Sequence, residues 1–470
     1  MRFSARRAAF SATLLLALWV GLSRAFQPEL PPQGHNVLMI LIATIGLWIF
    51  KPLKMPFSVS SAFFLAASLI SGVQPAAVFS GFAGGAVWSL IPALFFGFAL
   101  AKTGLGRRIA YFGMKSVRVS YPSLLLMWTL IGLVLSILTP SITVRVVIVT
   151  PIALDCVRIC GLPERSKERS LILMTAWAMA IIPGIGWLSG SLTGPIISGL
   201  FAATPGLGPV GFSAWLSVSL LPVALASALL VVAGYAVMRP SGRPASDPRV
   251  FADAYRQLGA VSGGERATGA VLVACFAMFV TSSLHHVPDT AVCLLGFFAL
   301  AALGVIEPGD IGRGISWDMV VFVGTAMGFG QVFAACGVSA WLSGGIVGAI
   351  APIAQSPWTL VAGAMAALFL WRFVDIAVFV PTMAIVVAVL PEISASYGIS
   401  PLVWIPMLSL AQNAFFMSYT NLFASIAENV LGEGAWTRGH LARYGLAYFA
   451  ASLVATLASV PYWKSIGMFG

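Results

Sequence analysis

Thr139-Pro140-Ser141-Ile142-Thr143-Val144-Arg145-Val146-Val147-Ile148-Val149-Thr150-Pro151-Ile152 is the stretch on which the reading of this chain turns. A helix-breaking proline sits between hydroxyl residues, and an arginine follows inside a run of branched aliphatics. Apolar arms flank the Thr139-Pro140-Ser141 break, and basic segments flank the arms. Lys102, Arg107, Arg108, Lys115 and Arg118 precede them; Arg158, Arg165, Lys167 and Arg169 follow. Basic loops stay on the cytoplasmic side of a membrane, so the arms enter and leave on one face. Two full spans or one re-entrant hairpin satisfy that pattern.

The rest of the chain has the same character. Of its 470 residues, 59% are hydrophobic and 9% charged, too little polar surface for a water-soluble domain of this size. Apolar stretches of roughly 17–25 residues, long enough to cross hydrocarbon, recur near 8–25, 36–50, 56–74 and 85–101. Others lie near 267–284, 289–305 and 317–334. They are continuously apolar, which excludes the alternating strands of an outer-membrane barrel. The net charge of +11 sits in short loops at span ends, a topology signal that argues against nucleic acid as a partner. Arg2, Arg6 and Arg7 precede the first apolar run, which reads as a retained first helix with a cytoplasmic N-terminus. Cys156, Cys160, Cys275, Cys293 and Cys336 show neither metal spacing nor a disulfide pattern. No nucleophile elbow, phosphate loop or nucleotide motif is present, so the chain does not read as an enzyme.

Two halves repeat one another. Lys102-Thr103-Gly104 leads to an arm at Tyr121-Pro122, a second arm with Pro151, and a break at Leu192-Thr193-Gly194-Pro195. Cys336-Gly337 leads to an arm at Ser356-Pro357, a second arm with Pro381, and a break at Tyr419-Thr420-Asn421. The intervals Gly104–Pro151 and Gly337–Pro381 differ by three residues, as do Pro151–Thr193 and Pro381–Thr420. The polar segment 239–266, with Arg239, Arg243, Arg249, Arg256 and Arg266, reads as a cytoplasmic linker. Together with the charge pattern it sets the halves in opposite orientations. Inverted repeats with helices broken near mid-membrane are the plan of secondary transporters.

The expected fold is therefore an all-α polytopic membrane protein of two inverted-topology repeats, with re-entrant hairpins, broken helices and about eleven transmembrane helices. Residues 1–77 hold N-terminal scaffold helices. Residues 78–238 form the first repeat, with a scaffold helix, a hairpin at 120–158, a broken helix at 170–203 and a helix at 213–238. Residues 267–470 form the second, with scaffold helices, a hairpin of arms 357–371 and 374–391, a broken helix at 401–431 and a last helix at 444–463. An amphipathic piece at 338–355 precedes the second hairpin.

Broken helices survive in hydrocarbon only where they line a cavity or hold a ligand. Four breaks are expected: Thr139 to Thr143, Gly190 to Pro195, Trp371-Arg372-Phe373, and Ser418-Tyr419-Thr420-Asn421. Arg145 lies near the first, and Arg372 and Asp375 near the third. Charges at such depth are costly and serve function or pair with one another. The three sum to one positive charge, which suits a small carboxylate or sulfate, since arginine grips such oxygens bidentately. The substrate-binding candidates are Ser141, Thr143, Arg145, Thr193, Gly194, Pro195, Arg372, Asp375, Ser418, Thr420 and Asn421. Ser141, Thr143 and Thr193 could also hold a cation. His285 and His286 fall at an outer boundary, and Asp318 and Glu428 near helix ends facing water or headgroups.

Several stretches resemble the divalent anion/sodium symporter family of di- and tricarboxylate carriers. They are WSLIPALFFGFALAKTGLGRRI at 88–109, TPSITVRVVIVTPI at 139–152, GISWDMVVFVGTAMGFGQVFAACGVSAWL at 314–342, RYGLAYF at 443–449 and PYWKSIGMF at 461–469. The resemblance implies a homodimer whose scaffold holds a moving transport domain, with an elevator motion. It also implies Ser-Asn-Thr motifs at both hairpin tips that bind sodium and substrate carboxylate. Ser141-Ile142-Thr143 stands at the first tip, with Ile for Asn, and Trp371-Arg372-Phe373 at the second. Arg145 is similar to an arginine of the plant-type dicarboxylate branch. The expected function is secondary transport of small dianions by symport or exchange in a bacterial inner membrane. No cofactor is expected. Arg372 would replace a cation at the second tip, leaving exchange or a proton as the coupling. A neutral-solute or cation carrier of this fold, or a membrane-embedded enzyme or complex subunit, are the alternatives.

Overall fold

The computed structural model describes residues 2–115, 117, 119–242, 244, 249–375, 379–432 and 435–469. Arg118 and Arg243 lie outside the described residues, as do the side chains of Arg2, Arg6 and Tyr419. The described chain is helical, and its one β-bridge joins Ile399 to Phe469. Nine described helices are long and apolar enough to cross a membrane. Shorter apolar helices such as Phe57–Ile70 and Asp289–Ala302 accompany them.

The repeats are visible in matched local chemistry. Helix Gly85–Thr103 ends on Gly104 at φ +80°, and Gly337 at φ +74° occupies the same place before Val338–Ile350. Glycine carries this left-handed turn without a Cβ clash. Ser120 then caps Tyr121–Leu138 and Ser356 caps Pro357–Trp371. Both stand at φ near −145°, and each accepts the N–H three residues on. A proline follows Ser356 directly and Ser120 after Tyr121, in the first turn, where its missing N–H is harmless.

Hairpin 1 consists of Tyr121–Leu138 and Ile142–Ile159, and hairpin 2 of Pro357–Trp371 and Val380–Tyr397. The second arm of hairpin 2 starts later than 374, because residues 372–375 form a turn. It also runs past 391, because Pro391 sits inside the helix. Broken helix 1 is Lys167–Met179 and Thr193–Ala203; broken helix 2 is Trp404–Gln412 and Leu422–Leu431. Both unwound segments start earlier than the sequence suggests. In the first, Pro183, Gly184, Gly186 and Gly190 stop the helix inside an otherwise apolar run.

Packing crosses between the repeats reciprocally. Thr193–Ala203 packs on the second arm of hairpin 2, and Leu422–Leu431 on the second arm of hairpin 1. The closing helices Phe212–Met238 and Arg438–Ala458 pack on each other. The hairpins open on opposite faces. Hairpin 1 opens on a basic face, where Tyr121 Oη reaches the Ser241 carbonyl and Glu168 accepts from Ser241. Hairpin 2 opens on the other, with Pro391 against Gly206.

Aromatic donors brace the backbone around the breaks, where hydrocarbon offers no water to do so. Trp187 Nε1 donates to the Ser136 carbonyl at 3.2 Å and Trp215 Nε1 to that of Ile185 at 3.1 Å. Trp177 Nε1 donates to the Phe423 carbonyl at 3.1 Å, and Tyr448 Oη to that of Leu410 at 2.8 Å.

The linker between the repeats is anchored as well as polar. It contains the helix Arg249–Gln257, and Arg108 donates to Glu265 at 2.6 Å and to the Leu258, Gly259 and Ala260 carbonyls. Both side chains of that pair are buried. Removing one partner of a buried pair leaves an uncompensated charge, at a cost of about 3 kcal/mol or more. Arg108→Ala should therefore melt well below the parent in detergent, and Arg108→Ala/Glu265→Ala should recover part of the loss. Equal melting of the parent and the single variant would contradict this anchoring role.

Candidate functional site

The centre of the molecule is where hairpin 1 meets the unwound part of broken helix 1. At its tip, Thr139 Oγ1 accepts the Ser141 N–H at 3.2 Å, and Ser141 Oγ caps the second arm by accepting from Val144 N–H. The tip rests on Gly97 of the helix Gly85–Thr103. A Cβ there would stand 2.6 Å from Ser141 Cβ, so glycine permits this approach.

One turn beyond the tip, Arg145 points inward and is completely buried. Its guanidinium lies over Gly184, where an added Cβ would stand 2.5 Å from Nη1 and 2.4 Å from the Gly190 carbonyl. Ser136 of the first arm completes this wall. None of the three guanidinium nitrogens has a hydrogen-bond partner among the described residues. The hydroxyls of Ser189, Ser191 and Ser409 and Oδ1 of Asn413, all on the broken helices, are likewise buried and unpartnered. Such groups are costly in an apolar interior unless a ligand answers them.

Arg372 behaves differently. Its guanidinium donates to the carbonyls of Asp375 and Thr420 and lies over the Phe379 ring at 5.2 Å. It ties the tip of hairpin 2 to break 2. Asp375 accepts from Thr382 at 2.5 Å, and Thr382 accepts from Trp371 Nε1 at 2.9 Å. No salt bridge joins the Asp375 carboxylate to Arg145 or Arg372 among the described residues.

The remaining candidates divide between closing the breaks and standing apart. Thr193 Oγ1 donates to Gln412 at 2.5 Å and so joins the two broken helices across the centre. Gly194 is demanded by space, since a Cβ would meet the Leu188 carbonyl at 1.9 Å. Pro195 follows it, buried, and lines a cavity. Asn421 uses its whole side chain to close break 2. Oδ1 accepts from Phe423 and Ala424 N–H, and Nδ2 donates to the Asn413 and Ala414 carbonyls. Thr420 is buried and donates to the Met417 carbonyl, and Ser418 donates to Glu428 at 2.5 Å. Thr143 is exposed on the far side of its helix from Arg145. Ser141, Thr143 and Thr193 share no hydrogen-bond partner. Among the described residues, no cluster of His, Cys, Asp and Glu could hold a metal.

Gly184, Gly190, Gln412 and Asn413 are additions that the sequence did not single out as site residues. The Pro183-Gly184 pair was the available signal, hidden by the surrounding isoleucines. Asp318, read as facing water, instead accepts from the Phe57 and Ser58 N–H groups and caps that helix. His285 bonds to the Met278 carbonyl.

Two cavities flank this centre. One, of about 770 Å³, opens on the face opposite the basic one and reaches Pro140, Leu188, Ser189 and Pro195. The other, of about 1110 Å³, lies on the basic side and reaches Met417 and Ser418 at break 2.

The chain is similar to known transporters over most of its length. Dicarboxylate transporter 2, chloroplastic, of Spinacia oleracea is 22% identical over 97% of this chain and 82% of its own. The putative malate transporter YflS of Bacillus subtilis is 25% identical over 70% of this chain and 71% of its own. A structural neighbour is the Alcanivorax borkumensis YdaH transporter, whose crystal structure is described as having an unusual topology. It aligns with a TM-score of 0.56 at 14% identity, over 97% of this chain and 98% of that one, a likeness of fold. The family described as the sodium:sulfate symporter transmembrane region matches residues 8–469. These relatives are transporters and not enzymes, and the apolar helices make the chain a multi-pass integral membrane protein. By that match, and with its inverted repeats, hairpins and broken helices, the chain belongs to the sodium:sulfate symporter family of membrane transporters.

Proposed function

We propose that this protein is a secondary transporter of small dianions, with dicarboxylates ahead of tricarboxylates and sulfate. The observation that carries this reading is Arg145, a fully buried guanidinium with no protein partner, set against an unwound helix. A charge of that kind at membrane depth costs about 3 kcal/mol or more, and a carboxylate oxygen pair satisfies it bidentately. Relatives named as dicarboxylate and malate transporters support the substrate class.

In this reading the hydroxyls of Ser189 and Ser191 donate to the same ligand. Thr193, Gln412 and Asn421 hold the breaks in shape. The hairpins and broken helices move as a transport domain against a scaffold of the N-terminal and linker-flanking helices, as an elevator within a homodimer. The basic face is cytoplasmic, as is the N-terminus, in a bacterial inner membrane. The guanidinium of Arg372, bound to the Thr420 carbonyl, stands as a fixed charge at the second tip. Coupling is then by exchange or by a proton in place of sodium.

Arg145→Gln removes the charge and keeps a polar side chain. With about 1.5–3 kcal/mol for a charge-assisted hydrogen bond, it should weaken malate binding at least tenfold by calorimetry while purifying as a monodisperse protein. Arg145→Lys should rescue it only partly, since Lys lacks the fork. Wild-type affinity in Arg145→Gln would refute the assignment. Initial uptake rates in proteoliposomes should be equal in sodium and choline media. Strict dependence on sodium would overturn the proposed role of Arg372.

A further inference from the structure

The two repeats differ at one position in a way that local packing does not require. Ser191-Leu192-Thr193-Gly194 and Ser418-Tyr419-Thr420-Asn421 are in register. Glu428 therefore takes the place that Phe201 holds in broken helix 1. Phe201 is buried among apolar neighbours. Glu428 instead faces the basic-side cavity of about 1110 Å³, together with Arg165, Ser425, Asn429 and Arg438. A carboxylate on a half-helix of a transport site is a functional residue by default.

Glu428 is also wired to the moving parts. Its Oε1 accepts from Ser418 Oγ at 2.5 Å and from Trp436 Nε1 at 2.8 Å. Ser418 opens the turn Ser418–Thr420, whose last carbonyl holds the Arg372 guanidinium at the tip of hairpin 2. Ser425 Oγ donates to the Ser418 carbonyl at 3.1 Å and keeps the turn on the helix that carries Glu428. The carboxylate is thus two covalent links and two hydrogen bonds from hairpin 2.

Among the described residues, the charges around Glu428 are few; Glu433 lies outside the described residues. Arg165 and Arg438 line its cavity, and neither forms a salt bridge with it. On the packed second arm of hairpin 1, Asp155 and Arg158 pair with each other at 3.8 Å, while Arg145, Cys156 and Cys160 are buried. On the last helix, His440 bonds to Ser170.

We propose that Glu428 is the coupling site of this transporter and that its ligand is a proton. This rests on the dianion reading above. The two arginines draw a dianion into the cavity, and the ionised carboxylate opposes its passage past break 2. A proton taken from water onto a carboxylate oxygen gives the neutral acid and removes that repulsion. It returns to water on the other side, and no bond in the substrate changes. Binding of the anion and of the proton must then favour each other by the same factor.

The test uses the full chain in proteoliposomes with the membrane potential clamped at zero and labelled malate as the probe. With acid outside, wild type should accumulate malate about tenfold per pH unit, as one proton per substrate requires. Glu428→Gln should exchange internal for external malate within about twofold of wild type, yet show no accumulation driven by the pH gradient. Gradient-driven accumulation in Glu428→Gln would overturn the proposal. A second readout needs no variant: a pH dye in the lumen should report one proton entering with each malate in wild type. Malate entry with no proton movement would also overturn it. Absence of both exchange and net uptake in wild type would instead overturn the dianion reading itself.

Discussion

A helix broken inside hydrocarbon exposes N–H and C=O groups that no solvent can answer, and everything central in this protein is arranged around that constraint. Indole donors from neighbouring segments take the carbonyls of Ser136 and Ile185 at the first break, and Trp177 and Tyr448 donate to the Phe423 and Leu410 carbonyls on the half-helices that flank the second. Asn421 caps one half-helix with its amide oxygen and ties it to the preceding strand of backbone with its amide nitrogen. Thr193 and Gln412 then join the two breaks. Among the buried side chains without a hydrogen-bond partner in the described residues, Arg145 stands out because all three of its guanidinium nitrogens are unanswered.

The two arginines that look equivalent in the sequence have different chemistry. Arg372 is spent on protein carbonyls and acts as a tether between hairpin 2 and break 2. Arg145 has no such partner and faces a glycine-lined wall. One repeat therefore leaves its buried guanidinium unpartnered, and the other uses its guanidinium as a link between hairpin and break. The same division holds between Phe201 and Glu428, where one repeat is sealed by an apolar ring and the other carries an acid in a polar cavity. An inverted repeat with near-twofold packing thus carries different chemistry in its two halves through a handful of side chains.

Much of the fold is legible in the amino-acid sequence. Long apolar runs, basic loops and the matching intervals after Gly104 and Gly337 define helices, hairpins and repeats, because hydrophobic length and proline placement are local properties. The expected positions of the breaks were late by several residues. The isoleucines around Pro183 and Gly184 keep the hydropathy high through a segment that has already unwound. The site was only partly legible, since its residues are assembled across repeats. Arg145 could be singled out by its charge, but its meeting with Gly184 and Gly190 is tertiary. Thr143 shares the motif and points away, because a hydroxyl two residues from Arg145 lies on the other side of a helix.

The central claim is that a small dianion is bound by the Arg145 guanidinium between hairpin 1 and the unwound part of broken helix 1. A cryo-electron microscopy map of the protein with saturating malate tests it most directly. Carboxylate density should lie within hydrogen-bond distance of Arg145 Nη1 or Nη2, against Gly184 and Gly190. Malate density resolved elsewhere, with Arg145 bonded only to protein groups, would contradict it.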